Sequence, residues 1–248
     1  MSHPSDDGGG VYTADGETVH NRICSFNCST VSNGQYCYSR SSQGSFKNFV
    51  IQSSLSRSFE NSFGAAPTLL LYGNQNLTKT NISYFRTVEI CGYQLQEGET
   101  ESMSAYNSII NNTSTDNNCI RNQFFPIVSI IHCNIINNSV KDRIFSNYRC
   151  FPLIIDACNI IDNSGFYTFY VEDFGRTQVN NCFLRNEGST CGVISIENTL
   201  AVETNNEINH LSTAFCYTLR GLKHRSPFKD IRCLRSIHFY IFVILKQK

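Results

Sequence analysis

Residues 133–139 read CNIINNS, and residues 158–164 read CNIIDNS, 25 positions later. Residues 107–113, NSIINNT, carry the same pattern 26 positions earlier, with Asn107 at the Cys position. Residues 182–188, CFLRNEG, carry it 24 positions further on. Self-similarity at a fixed period of roughly 20–50 residues marks a repeat architecture. Upstream, CSFNCS (24–29) has the same Cys-x-apolar beginning, and FKNFVIQ (46–52) and NISYFRT (81–87) are degenerate members. The general unit is C-x-[I/F/L]-x-x-N, preceded by β-branched residues. In the fourth unit, aligning Cys182 keeps Leu184 at the Ile position and moves Asn186 one place early, so the slip falls in the turn.

Alternation through 131–135 sends Ile131, Cys133 and Ile135 to one face and His132 and Asn134 to the other. Such a strand, closed by Asn-Asn-Ser, ends in a turn. Alone it cannot bury its apolar side; stacked on copies of itself at about 4.8 Å per rung it forms a continuous core. The fold class expected is all-β, a right-handed parallel β-helix with coils of about 25 residues and a pectin-lyase-like architecture. Equal residues then align in columns. Cys133, Cys158 and Cys182 make a thiol column, and Ile109, Ile135, Ile160 and Leu184 an aliphatic one. Asn112, Asn138 and Asn163 make an inward amide ladder, which leaves Asn111 and Asn137 facing solvent. Leucine-rich repeats have a similar period, but Leu is not the repeated residue here. An irregular β-sandwich with chance look-alike strands is the alternative.

Composition agrees with a turn-rich chain. Asn makes up roughly a tenth of the residues, and it favours turns over helix interiors. Charged residues are 16% and the net charge is zero, which argues against a nucleic-acid partner. Twelve Cys point either to an oxidising compartment or to small buried core thiols. Cys24, Cys28 and Cys37 form a disulfide-like cluster, and with His20 they give H-x3-C-x3-C-x8-C, which fits no recognised zinc spacing. Six Asn-x-Ser/Thr sequons occur, at Asn27, Asn76, Asn81, Asn111, Asn112 and Asn137. All but Asn112, which belongs to the ladder, are candidate glycosylation sites. Together with the Cys they indicate an extracellular or cell-surface protein. The opening MSHPSDDGGG has neither the basic nor the apolar region of a signal peptide, so an exported protein would make this chain a fragment.

The repeated unit resembles the F-x-x-N half of repeats in polymorphic outer-membrane-type proteins. Related Cys- and Asn-rich β-helices form surface families in parasitic protists such as trichomonads. The other half of that repeat, G-G-A-[I/V/L], has loose counterparts in Gly8-Gly9-Gly10-Val11 and Gly192-Val193-Ile194. The clear matches cover about residues 105–190. The resemblance implies a secreted or surface-anchored β-helix used in adhesion or display, with a host-cell surface or a glycan as partner.

Parallel β-helices also carry polysaccharide-cleaving enzymes. Clustered carboxylates on neighbouring rungs would be needed for that chemistry. Of the N-T-D, D-D, H-G and R-I-K signatures that polygalacturonase-like chains show, only Asp6-Asp7 occurs, in the polar tail. Candidates for a calcium-dependent cleft are Asp156, Asp162, Glu172 and Asp173, with Arg143, Arg149 or Arg176. Asp162 replaces the Asn of other repeats and reads as a solvated turn residue. His132 reads as a surface residue. The aromatics of GFYTFYVEDF (165–174) suit either core and cap or a sugar-stacking patch, core and cap being favoured. No catalytic, cofactor or metal residues are assigned. A non-catalytic surface module is favoured, with a carbohydrate-active β-helix as the alternative.

The domain reading is a polar tail over 1–15, a β-helix over 16–218 and a basic, apolar tail over 219–248. That last stretch holds eight Lys or Arg and ends in FYIFVILKQK. Seven apolar residues fall short of a bilayer span. The segment reads as a last strand or as the start of a membrane anchor.

Overall fold

The computed structural model describes residues 10–26, 28, 30, 33–56 and 64–206. Among them the chain forms strands and no helix. Every strand pairing is parallel, and the strands stack into three long sheets of eight, eight and seven strands, so the chain is a parallel β-solenoid. The first sheet includes Ile90–Gln96, Asn118–Phe125, Arg143–Cys150 and Tyr167–Glu172. The second includes Val128–Ile131, Leu153–Asp156 and Ile194–Glu197. The third runs from Cys24–Phe26 to Phe183–Arg185. Val11–Thr13, inside the stretch read as a polar tail, is already the first strand of the first sheet. The region 219–248 lies outside the described residues.

Register in the third sheet sets the repeat. Cys24, Ser54, Asn81, Ser108, Asn134, Asn159 and Phe183 align rung on rung. The offsets between them shorten from 30 to 27, 27, 26, 25 and 24 residues along the chain. The extra residues of the early coils fall in two places: between the third-sheet strand and the next first-sheet strand, at 27–36 and 57–67, and between the first and second sheets, at 41–46 and 97–101. One position on, Leu55, Ile82, Ile109, Ile135 and Ile160 align and are all buried, and the partly buried Leu184 continues the column. Phe145 and Phe169 stack at 5.2 Å in the first-sheet half of the core, where Tyr93 is also fully buried.

Three sequence alignments need correction. Residues 131–135 are not one strand, because Ile131 ends a second-sheet strand and Asn134 begins a third-sheet strand. His132 lies between them in the left-handed region, at φ 53°. This single residue turns the corner and resets side-chain parity, so Ile130 is buried and Ile131 faces partly outward. CSFNCS is a coil member, but Cys24 aligns with Asn134, one place after Cys133. FKNFVIQ contributes Lys47–Ile51 to the second sheet, and the third-sheet equivalent is Ser54–Ser56.

Left-handed residues turn all three corners. Arg22, Gln52, Lys79, Tyr106, His132, Ala157 and Asn181 lead into or terminate the third sheet's entry corner, and Tyr84, Asn111, Asn137, Asp162 and Asn186 form its exit corner. Tyr72, Glu97, Phe124 and Arg149 mark the corner between the first and second sheets. This conformation costs a non-Gly residue about 1–2 kcal/mol. At the entry and exit corners of the third sheet, a polar side chain on the next coil repeatedly supplies what the backbone lacks. Cys133 N–H donates to Cys158 Sγ (3.3 Å) and Cys158 N–H to Cys182 Sγ (3.4 Å). Each thiol donates to the carbonyl two residues before it, on Ile131, Asp156 and Asn180. Ser53 plays the same role, accepting from Ile23 N–H and donating to Ile51 O. Asn107 likewise accepts from Thr80 N–H at 2.8 Å.

The exit corner carries an amide ladder. Asn138 Oδ1 accepts from Asn112 N–H (3.1 Å) and Asn112 Nδ2 (3.0 Å). Asn163 Oδ1 accepts in the same way from Asn138 N–H and Nδ2, both at 3.0 Å. The Nδ2 groups of Asn112, Asn138 and Asn163 also donate to the carbonyls of Ile82, Ile109 and Ile135. Asn112 and Asn138 are buried and Asn163 is half-buried; Asn111 is half-buried and Asn137 exposed.

After Glu197 the chain returns along the solenoid axis as a strap. Leu200 N–H bonds Cys182 O at 2.9 Å. Thr204 pairs with the Asn159 amide through both its N–H (2.8 Å) and its carbonyl (2.9 Å). Asn134 Nδ2 donates to Asn206 O at 3.1 Å. The strap therefore lies over the outer side of the third sheet.

Truncating Asn138 strips partners from Asn112 N–H, Asn112 Nδ2 and Ile109 O at once. Unsatisfied buried groups cost about 1–3 kcal/mol each before relaxation. Asn138→Ala is expected to destabilise by about 3 kcal/mol in urea unfolding, while Asn137→Gly changes stability by less than about 1 kcal/mol, because Gly accepts the left-handed corner. Equal effects from the two variants would contradict the ladder's role.

Candidate functional site

The outward-pointing positions of the first sheet carry aromatic, amide and guanidinium side chains, and at these positions Leu69, Gln94, Gln123 and Ser146 are buried. One column runs Tyr12, Tyr38, Leu69, Gln94, Arg121, Ser146, Tyr170 and Cys191. The next runs Arg40, Leu71, Gln96, Gln123, Tyr148 and Glu172. Tyr12 stacks on Tyr38 at 5.2 Å, as rung spacing dictates for equal residues. The Arg143 guanidinium sits 3.7 Å over the Tyr170 ring and pairs with Glu172 (3.4 Å) and Asp142 (2.8 Å). Arg149 lies over Tyr148 and Phe124 and pairs with Asp173. Gln123 accepts from Arg121 Nε at 2.8 Å in the orientation that satisfies its amide. Desolvation holds the Arg121 guanidinium below its ordinary pKa, with Glu89 and Glu172 acting in the opposite direction.

A shallow depression lies just before these strands, lined by Asp116, Asn117, Lys141, Asp142 and Phe166. It takes residues from three successive coils. Arg143 N–H bonds Asn117 O (3.0 Å) and Tyr167 N–H bonds Asp142 O (2.8 Å), so the backbone fixes its walls. A Cβ at Gly165 would come within 2.9 Å of Val140, so glycine there lets the Phe166 segment lie close to the coil beneath.

The four candidate carboxylates do not converge. Asp156 accepts from Asn181 at the second corner. Asp162, at the third corner, is bridged to Arg185 (2.6 Å), which holds its carboxyl below the usual range. Glu172 faces Arg143 on the first sheet, and Asp173 pairs with Arg149 at the first corner. Arg176 lies over the Phe151 ring. Among the described residues no group of three His, Cys, Asp or Glu is placed to hold a metal ion.

Several residue readings change in the structure. Cys24 and Cys28 are both disulfide-bonded, but Cys37 is a free, buried thiol on the first sheet, because its strand turns it into the core. His20 is buried and its Nδ1 lies 3.0 Å from Tyr36 Oη. His132 is a half-buried corner residue stacked on Tyr106 at 5.0 Å. Of GFYTFYVEDF, Phe169 and Val171 enter the core, but Tyr167 and Tyr170 face outward and Phe166 and Phe174 are 64% and 94% exposed. The core-and-cap reading of that stretch therefore holds for alternate residues only. Of the sequons, Asn76 and Asn81 are half-buried, and Asn27 lies outside the described residues.

No known protein family matches the chain, and no curated protein or solved structure matches it. No helix among the described residues is long and apolar enough to cross a membrane.

Two measurements follow from the buried titratable groups. Burial lowers the His20 pKa from 6.5 to about 4. Between those values the unfolded chain binds a proton that the folded chain excludes, so this contribution is complete above pH 6.5 and is lost as pH falls toward 4. The loss amounts to about 3 kcal/mol, and His20→Gln should flatten urea midpoints across that window; an unchanged slope would remove His20 as its source. Among the eight free thiols of the described residues, only Cys191 is partly exposed. Burial raises Cys150 to about 12 and pushes Cys158 well above the ordinary thiol range. Iodoacetamide under native conditions should label Cys191 ahead of the other seven. Equal labelling of Cys133 or Cys158 in mass spectra would show that the column opens.

Proposed function

We propose that this chain is a non-catalytic binding module, an extracellular or cell-surface β-solenoid that serves adhesion or surface display. The observation that carries the reading is the outer face of the first sheet. There aromatic rings, guanidinium groups and amides stand in rows on a scaffold whose corners are fixed by hydrogen-bonded ladders. Such planar, amphipathic side chains are the usual makers of protein contact surfaces. The separation of Asp156, Asp162, Glu172 and Asp173, each engaged by a local partner, favours binding over bond cleavage. The disulfide-bonded Cys24 and Cys28 and the exposed sequon Asn137 favour an oxidising, extracellular setting. The resemblance of the CNIINNS unit to polymorphic outer-membrane-type repeats supports the same reading.

Attachment provides the test. Fluorescent microspheres coated with the purified chain should bind cultured epithelial monolayers saturably, and excess soluble chain should compete. The same chain should release no reducing ends from a panel of soluble polysaccharides. Binding no greater than that of albumin-coated spheres would defeat the adhesion reading; released reducing ends would replace it with the carbohydrate-active alternative.

A further inference from the structure

We propose that the depression lined by Asp116, Asn117, Lys141, Asp142 and Phe166 is a binding site for a neutral glycan. This assignment rests on the reading of the chain as a binding module and names the ligand of one site on it.

The first support is Phe166. Its side chain is 64% exposed and stands at the mouth of the depression, in edge contact with Tyr167 (4.6 Å), which in turn packs on Tyr170 (5.0 Å). The three linked rings make a small apolar patch rimmed by polar groups, the combination that ligand-binding grooves present. The flat C–H face of a pyranose ring fits such a patch, since it stacks on an aromatic face while its hydroxyls stay at the rim.

The second support is the polar inventory around the ring. The Asp116 and Asp142 carboxylates accept from sugar hydroxyls, the Lys141 ammonium donates, and the Asn117 amide does both. Asn117 Nδ2 and Asp116 lie at 3.4 Å, and Lys141 and Asp116 only at 3.9 Å, both on the solvent side, so these groups keep bonding capacity for a ligand. Arg143 holds Asp142 from behind.

The third support is charge. Two lining carboxylates, Asp116 and Asp142, stand against one lining cation, Lys141, and Arg143 behind them is shared between Asp142 and Glu172. Acidic groups outnumber basic ones, so an anionic chain meets no net attraction, which removes the electrostatic basis for preferring an acidic glycan or a nucleic acid. Volume agrees as well: the depression holds about 310 Å³, at the lower end of small-ligand sites of roughly 300–1,000 Å³. That suits one or two sugar rings of a longer chain lying across the coils.

The test is a printed glycan array carrying neutral, sialylated, sulfated and uronic-acid glycans, probed with the full chain. Binding is expected to one or more neutral glycans. Phe166→Ala should lower that signal at least tenfold, Phe166→Trp should retain it, and Phe174→Ala, at an exposed residue of the corner between the first and second sheets, should leave it unchanged. Thermal melts of each variant control for folding. Because Phe166 is exposed, its Ala variant should melt with the parent. The site is overturned if no neutral glycan binds, if only anionic glycans bind, or if Phe166→Ala binds like the parent. Should the variant misfold, Asn117→Ala and Asp142→Asn give the same readout from the polar side. Microsphere attachment by a chain that binds no neutral glycan, or whose Phe166→Ala variant binds the array like the parent, would defeat the site and spare the adhesion reading. Array binding without attachment would do the reverse.

Discussion

Everything in this solenoid depends on where the backbone N–H groups at its corners find acceptors. Along the flat strands the answer is automatic, because each rung bonds to the next. At a corner one residue adopts the left-handed conformation, the chain changes direction, and the following N–H leaves the regular ladder. A buried unpaired N–H costs about as much as several packed methylenes yield. The structure meets this with a side chain from the coil above. Asn138 does so for Asn112, Asn163 for Asn138, Cys158 for Cys133 and Cys182 for Cys158. The acceptor must be short and fixed in direction, which restricts the position to Ser, Thr, Asn or Cys. Ser53, Thr80, Asn107 and Cys133 are successive members of one such column.

This constraint explains which parts of the fold were legible in the sequence. CNIINNS reveals itself because three demands coincide in seven residues: a ladder acceptor, an inward aliphatic residue and an inward Asn after a left-handed one. The aliphatic column from Ile109 to Leu184 was readable for that reason. The corner at His132 was not. Left-handed residues there are Arg22, Gln52, Lys79, Tyr106, His132, Ala157 and Asn181, with no shared chemistry, because the side-chain ladder and not the turn residue secures the bend. A reader of strand alternation therefore runs straight through it. The early coils were illegible for a related reason. Ser54 and Leu55 meet the same demands as Asn134 and Ile135 with different residue types, and their longer coils break the period.

The candidate site was harder to read still. Its residues are separated by 24 or 25 positions in sequence and meet only because one coil stacks on another. Asp116, Asn117, Lys141 and Asp142 look like ordinary turn residues in a linear reading. The aromatic stretch 165–174 did carry a signal, but period-2 logic alone leaves open which of its rings face outward. Register settles that: Phe145 against Phe169 fixes the inward parity, and Tyr170 and Glu172 then face solvent opposite Ser146 and Tyr148. The strap lies outside the repeat pattern altogether, since Thr204 and Asn206 bond Asn159, Asn134 and Ala157, through backbone and side chain, across 45 to 72 positions.

The appearance of Cys in the later coils has a physical logic beyond compartment. A ladder hydroxyl satisfies the corner N–H but adds little apolar volume to the core. A thiol accepts the same hydrogen bond, more weakly, while behaving as a small hydrophobe. Cys133, Cys158 and Cys182 stand on coils of 26 to 24 residues, beside the fully buried Ile135, Ile155 and Val179. Sulfur at these positions serves the hydrogen-bond column and the packing of the interior together. The parallel, in-register stacking that makes the column also aims neighbouring thiols the same way, and both Cys133 and Cys158 spend their hydrogen on a carbonyl of their own rung. Such an arrangement keeps the thiols apart as bonding partners even at rung distance. Among the described residues, redox chemistry is thereby confined to the disulfide-bonded Cys24 and Cys28 and to the partly exposed Cys191 on the last strand of the first sheet.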